Sequence, residues 1–163
     1  MLGYFLIIAA IMLTIDHLDH AILIALQKDC AQSLEDLGQL IGLSRNACWR
    51  RIRAMEDAGI IRKRVALVDP AKLGIGLQVF IQVRTSTHSA QWSKDFSAAV
   101  RAIPEIQGAY RMSGDLDYLI RARVRDVSDY DALYQRLTER VALSDVSASF
   151  VMEELKDSTE LVV

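Results

Sequence analysis

Cysteine and histidine are scarce in this sequence, and each shortage removes a class of explanation. Two cysteines in 163 residues, Cys30 and Cys48, cannot build a disulfide framework. With no Cys-x-x-Cys pair either, the usage fits a reducing, cytoplasmic setting. Of the three histidines, His17 and His20 stand three apart, a spacing that a helix can use to hold a metal. No third ligand follows, so a solvated pair is expected, with no metal and no cofactor. Neither a nucleophile–base pair nor a glycine-rich phosphate loop is present, and catalysis has no support. Long apolar runs are missing too. The opening "MLGYFLIIAAIML" is uncharged but covers only residues 1–13, short of the about 20 needed to span a bilayer. It lacks the basic start of a signal peptide and a small-residue cleavage site before Asp16. It is read as an apolar extension from an upstream start codon, with Met12 opening the functional chain, and no membrane partner is expected.

A large charge excess is also absent. The net charge of −2 excludes a chain that is basic throughout, but the charge is uneven. Leu43 to Arg64 holds seven basic residues against Glu56 and Asp57, a net +5 that leaves −7 elsewhere. A basic patch on an acidic protein points to a polyanionic partner at one site.

What is present organises into two halves. Asp16 is placed to cap a helix with Leu18, Ile22, Leu23 and Leu26 on one face. Ser33 starts a second, with Asp36 in a capping-box-like position and Leu34, Leu37 and Ile41 apolar, and Gly42 breaks it. Ser44 caps a third, predicted to run to Ala58 and stop at Gly59. Two helices joined by so short a glycine-containing turn form the helix-turn-helix pattern. "IIRKRVALVDP" then reads as extended, and "AKLGIG" as a hinge. Beyond it, Leu77, Val79, Ile81 and Val83 alternate as in a half-buried strand. Trp92, Phe96, Val100 and Ile103 follow at helical spacing after Ser89. Strands are predicted near Ile106 to Met112 and from Tyr118 to Val124, then a helix capped by Ser128 with Tyr130, Leu133, Leu137 and Val141 on one face. A last strand puts Val146, Ala148, Phe150 and Met152 on one side. The order β-α-β-β-α-β is the ferredoxin-like arrangement, whose sheet is covered by helices on one face only; the bare face favours a homodimer. The fold class is therefore α+β.

The third helix has two unlike sides. At about 100° per residue from Cys48, Ile52 and Met55 fall within about 40° of it, while Asn46, Arg50 and Arg53 fall opposite, with Trp49 on the flank. Cys48 is thus expected to be core. The outer side is nearly all cationic, and its cations begin in the first half of the helix, where the macrodipole disfavours them. Arginine and asparagine are the types that read guanine and adenine edges in the major groove, where a helix-turn-helix docks this part of its second helix. Double-stranded DNA is the expected partner; the rival is a small-molecule-binding module whose helix-turn-helix serves protein contacts.

Both halves together resemble the Lrp/AsnC (feast/famine) family of transcription regulators. The segments that carry the resemblance are "IDHLDHAILIALQKD", "LGQLIGLSRNACWRRIRAMEDAGIIRKRVALVDPAKLG", "RMSGDLDYLIRARV" and "SFVMEELKDS". "HSAQWSKDF" and "SASFVMEELK" are most similar to a subgroup that includes a cysteine-responsive detoxification regulator. The resemblance implies a winged helix-turn-helix at 14–64, a β hinge at 65–76, a ferredoxin-like effector-binding domain at 77–156 and a tail at 157–163. It implies dimers that assemble further to octamers, a nucleoid-associated protein, and an amino-acid effector of unknown identity. Ser44, Arg45, Asn46, Trp49, Arg50, Arg51 and Arg53 match the recognition helix, and Arg62, Lys63 and Arg64 lie near the DNA backbone. Where many members carry a proline, this chain has Asn46 and Ala47, so an operator sequence is not transferable. The effector is placed beside Arg111, Met112, Ser113, Gly114, Asp115, Leu116, Asp117 and Tyr118, facing Ser147 and Ser149. Gly114 can offer backbone N–H groups to a carboxylate, and Asp115 or Asp117 can pair with an ammonium. Ser, Gly and Asp are equally what a plain hairpin turn requires.

Overall fold

The computed structural model describes residues 14–163, and the expectation for the apolar extension lies outside them. The chain divides into two compact units, one reaching to Leu67 and including Lys156–Val163, the other Val68–Leu155.

In the first unit, helices α1 (His17–Lys28), α2 (Leu34–Ile41) and α3 (Arg45–Asp57) enclose a small core of Ile22, Ala25, Leu37, Cys48, Ile52 and Met55. Each start is capped as its sequence requires. The Asp16 carboxylate accepts the Leu18 and Asp19 amides, and the Asp19 side chain returns the bond to the Asp16 amide. Ser33 and Ser44 accept from Asp36 and Ala47. Four orphan N–H groups at a helix start make such acceptors necessary. Leu18, expected on the core stripe, instead borders an open groove with Ile24 and Leu40. Ala25, two turns on along the same stripe, is buried. The C-terminal residues return to this unit, where the Gln27 side chain donates to the Leu161 carbonyl at 3.1 Å and accepts its amide at 2.6 Å.

Residues 62–69 carry no strand, so neither a wing hairpin nor a β hinge forms among the described residues. A strand exists only through a hydrogen-bonded neighbour, and this extended segment has none among the described residues. Val65, Leu67 and Val68 are exposed along it.

The second unit is the ferredoxin-like domain: β1 (Leu77–Arg84), α4 (Ala90–Ala102), β2 (Ile106–Arg111), β3 (Tyr118–Val124), α5 (Val127–Thr138) and β4 (Asp145–Phe150). The antiparallel sheet has the order β2-β3-β1-β4. Because strand side chains alternate, Val79, Ile81 and Val83 share one face with Ile120, Ala122 and Val124. Trp92, Phe96 and Ala99 of α4 with Ile103 just beyond it, and Leu133 and Leu137 of α5 with Val141 just beyond it, cover that face. Two expectations differ from the structure. The cap of α5 is Asp126, whose carboxylate accepts the Asp129 amide at 2.8 Å, and Ser128 lies in the first turn. Asp126 stands where the chain is still extended, as a cap must. Met152 lies beyond β4 and is 95% exposed; the last bond of this ladder runs from the Val151 amide to the Gln78 carbonyl at 2.9 Å.

Among the described residues, no helix covers the other face of the sheet. Gln78, Phe80, Gln82, Leu119, Arg121, Ser147 and Ser149 alternate onto it. Gln78 Oε1 and Arg121 Nε are buried there with no hydrogen-bond partner among the described residues.

Candidate nucleic-acid interface and effector site

Gly38 and Gly42 set the helix-turn-helix geometry. Gly42 ends α2 at φ 78°, a left-handed conformation that L side chains rarely adopt, and the Gly42 and Leu43 amides both donate to the Gly38 carbonyl at 2.9 Å. A Cβ on Gly38 would lie 2.5 Å from the Leu43 carbonyl oxygen, so only glycine lets the turn fold this closely onto α2. This role of Gly38 was not anticipated from the sequence; a glycine within a short, otherwise good helix was the available signal.

The two sides of α3 separate as the periodicity requires. Cys48, Ile52 and Met55 are buried, while Arg45, Asn46, Trp49, Arg50 and Arg53 are exposed. Arg62, Lys63 and Arg64 follow on the exposed extended segment. Ser44 is engaged as the cap. Arg51 departs from its expected place on the DNA-reading set. Its Nη1 lies 2.8 Å from Asp19 Oδ1 and 3.0 Å from Asp16 Oδ2, joining α3 to the start of α1. The bond to Asp19 holds the guanidinium above its ordinary range. The Asp16 carboxyl is lowered, first by the Asp19 amide and then by Arg51. Arg51 points toward α1 because its position lies about 60° around the helix from Cys48, at the edge of the buried stripe and in the α1–α3 seam.

The turn between β2 and β3 is closed by backbone bonds, from the Met112 amide to the Asp117 carbonyl at 2.9 Å and from the Asp117 amide to the Val83 carbonyl at 3.1 Å. Asp117 is half-buried, and its carboxylate accepts the Thr85 amide at 2.8 Å with His88 Nδ1 3.9 Å away. Asp115 is exposed, while its carbonyl accepts from Arg84 Nε at 3.0 Å. Arg84 also reaches Asp145 at 2.8 Å, so one guanidinium ties the turn to the start of β4. Arg111, Met112, Ser113 and Gly114 are exposed, Gly114 with φ 100°, and Leu116 is half-buried. Tyr118 faces the helices, its ring 4.4 Å from Phe96 and 5.6 Å from Trp92. Alternation along β3 directs it there, away from the face that carries Ser147 and Ser149. The turn's exposed rim is therefore Arg111 to Asp115, and Tyr118 and the Asp117 carboxylate belong to its framework. Arg84 and Thr85 were not anticipated; a cation and a hydroxyl at the end of an apolar strand were the available signals.

Residues 15–56 match the AsnC-type helix-turn-helix domain, and residues 78–161 match the Lrp/AsnC ligand binding domain, which alone covers more than half of the chain. The chain belongs to the Lrp/AsnC family. The glutamate uptake regulatory protein of Zymomonas mobilis is 48% identical over 147 residues, 90% of each chain. The DNA-binding transcriptional activator DecR of Escherichia coli is 42% identical over 150 residues, 91% of this chain and 99% of its own. Among solved structures, a transcriptional regulator of Neisseria meningitidis in complex with L-Met superimposes with a TM-score of 0.87 at 33% identity, covering 91% of this chain and 97% of that one. This Lrp/AsnC protein is thus a DNA-binding transcriptional regulator with a ligand-binding domain. The helix-turn-helix accordingly serves DNA rather than protein contacts alone. Among the described residues of this regulator, no helix is long and apolar enough to cross a membrane.

Proposed function

We propose that this regulator reads double-stranded DNA with Arg45, Asn46, Arg50 and Arg53 of α3 in the major groove. Trp49 leans on the groove wall, and Arg62, Lys63 and Arg64 meet phosphates. The observation that carries this is the division of α3: Asn46, Arg50 and Arg53 are exposed on the side opposite the buried Cys48, Ile52 and Met55, and Arg45 is exposed in the first turn. Their guanidinium and amide groups match base edges bidentately. Arg51 belongs to the fold of the domain and not to the reading set.

A free amino acid is proposed as effector, held at the rim of Arg111 to Asp115. Gly114 would offer backbone N–H groups to its carboxylate, the Asp115 carboxylate would pair with its ammonium, and Ser147 and Ser149 would stand on the adjacent sheet face. The L-Met bound to the Neisseria relative supports this ligand class. A second copy is proposed to cover the bare sheet face, where Phe80, Gln82 and Leu119 are only half-buried. Dimers would then assemble toward octamers, on the nucleoid in the cytoplasm. Effector binding would act by favouring one assembly or one arrangement of the DNA-binding domains.

A thermal-shift screen of the full chain against the twenty amino acids tests the effector, because ligand that binds only the native state raises apparent stability. One or a few amino acids should raise the midpoint in proportion to the logarithm of their concentration. A flat screen would remove the effector assignment and leave DNA binding standing.

A further inference from the structure

Glu56 occupies an unusual position in the recognition helix. It lies in the last turn of α3, where the macrodipole disfavours a carboxylate. Its side chain is 28% exposed and stands between two cations from different segments. Oε1 is 3.0 Å from Arg64 Nη2 on the extended segment, and Oε2 is 3.4 Å from Arg53 Nη1 on the helix. Leu34, Trp49 and Ile52 form the apolar wall of a cavity of about 390 Å³ whose polar lining is Arg53, Glu56 and Arg64. Asp57, one residue on, is 69% exposed and among the described residues reaches only Arg53, at 3.9 Å.

We infer that Glu56 is a positioning residue for DNA selectivity, holding Arg53 and Arg64 in place for a docked operator and withholding them from DNA of arbitrary sequence. This rests on the proposed assignment of Arg53 and Arg64 as DNA contacts. Non-specific binding is carried almost wholly by cations that find phosphates and release counterions. On random DNA the two arginines must leave Glu56 to find a phosphate, and the carboxylate left behind opposes the backbone. In a docked complex the first half of α3 is already fixed in the groove by Arg45, Asn46 and Arg50. Arg53 and Arg64 then meet DNA from the positions that Glu56 gives them. Glu56 therefore subtracts from non-specific affinity more than from specific affinity.

The experiment uses the full-length chain, a duplex enriched from a random library by the wild-type protein, and a random duplex of equal length, each titrated across a series of salt concentrations. Glu56→Gln should raise affinity for the random duplex about 3- to 10-fold and steepen its salt dependence by about one released ion or more. Affinity for the enriched duplex should change less than about 2-fold, so the selectivity ratio falls. Asp57→Asn makes the same charge change and should leave the ratio within about 2-fold of wild type. Glu56→Asp keeps the charge on a shorter stem and should fall between wild type and Glu56→Gln; it also serves if the glutamine variant is unstable to heat. An unchanged ratio in Glu56→Gln, or an equal fall in Asp57→Asn, overturns the inference. Arg53→Ala and Arg64→Ala separate the two levels. If neither weakens binding to either duplex, the contact assignment fails and the inference with it. If they weaken binding while the Glu56→Gln ratio holds, the inference alone fails.

Discussion

Arg51 and Asp19 are joined across the α1–α3 seam at 2.8 Å, the arginine only 28% exposed at its side chain and the aspartate buried. One arginine of a cationic helix thus holds the DNA-binding unit together, while its neighbour Arg50 faces solvent. Asp19→Ala should cost about 1–3 kcal/mol of stability, because it leaves a partly buried guanidinium without its nearest acceptor. Arg51→Ala should lower the unfolding midpoint in the same direction, and the double variant should fall short of the sum. Chemical denaturation of the four proteins checks this; strictly additive effects would show that the pair is not coupled.

Gly38→Ala should destabilise the first unit even though alanine is the better helix former. The added Cβ would meet the Leu43 carbonyl oxygen at 2.5 Å, a backbone atom that cannot rotate away. Overpacking of this kind costs about 1–3 kcal/mol, more than the about 1 kcal/mol that helix propensity returns. The loss should appear in thermal unfolding, together with weaker DNA binding, because the same turn sets the angle of α3. A variant as stable as wild type would contradict the close approach.

Acid should weaken the fold through particular carboxylates. Asp129 is lowered to about 2, chiefly by its hydrogen bond from Arg125, while Glu105 is lowered by its bond from Arg136 and Asp16 by the Asp19 amide and Arg51. A depressed folded-state pKa gives stability that is fully present above the unfolded value, near 4 for a carboxyl, and lost as pH falls through the folded one. Stability should therefore be flat in this respect above about pH 5 and decline between about pH 4 and 2. Asp129→Asn should flatten part of that decline, as measured by denaturant midpoints across the range. An identical pH profile in the variant would remove Asp129 as a contributor.

The two aspartates of the β2–β3 turn should separate function from framework. Asp117 accepts the Thr85 amide at 2.8 Å, so Asp117→Ala leaves a donor unpaired and should lower the unfolding midpoint. Asp115 is exposed, and Asp115→Asn should leave the midpoint of the ligand-free protein unchanged while reducing the shift given by the amino-acid effector. Equal loss of ligand-free stability in both would contradict the division.

Much of this was legible in the sequence because it depends on local spacing. The three caps of the first unit at Asp16, Ser33 and Ser44, the buried stripe of Cys48, Ile52 and Met55, and the alternation of Val79, Ile81 and Val83 all follow from period and cap chemistry. What could not be read depends on which element lies beside which. Arg51 looked like its neighbours until Asp19, 32 residues earlier, came to face it. Asp117 looked like a ligand group until the end of β1 brought the Thr85 amide to it. The extended segment after α3 read as a strand on composition alone, but pairing needs a neighbour that the described residues do not provide. Asp126 displaced Ser128 as a cap because the chain turns into the helix two residues sooner than the hydrophobic spacing implied.

The most direct measurement is fluorescence anisotropy of the full chain on a duplex enriched from a random library, comparing wild type with Arg50→Ala across salt. Arg50 is exposed, and among the described residues no ion pair or hydrogen bond holds it within the fold. Its loss should leave the unfolding midpoint unchanged and weaken specific binding by about 1–3 kcal/mol, with a smaller effect on a random duplex. Unchanged affinity and unchanged salt slope on the enriched duplex would contradict the claim that the outer side of α3 reads DNA.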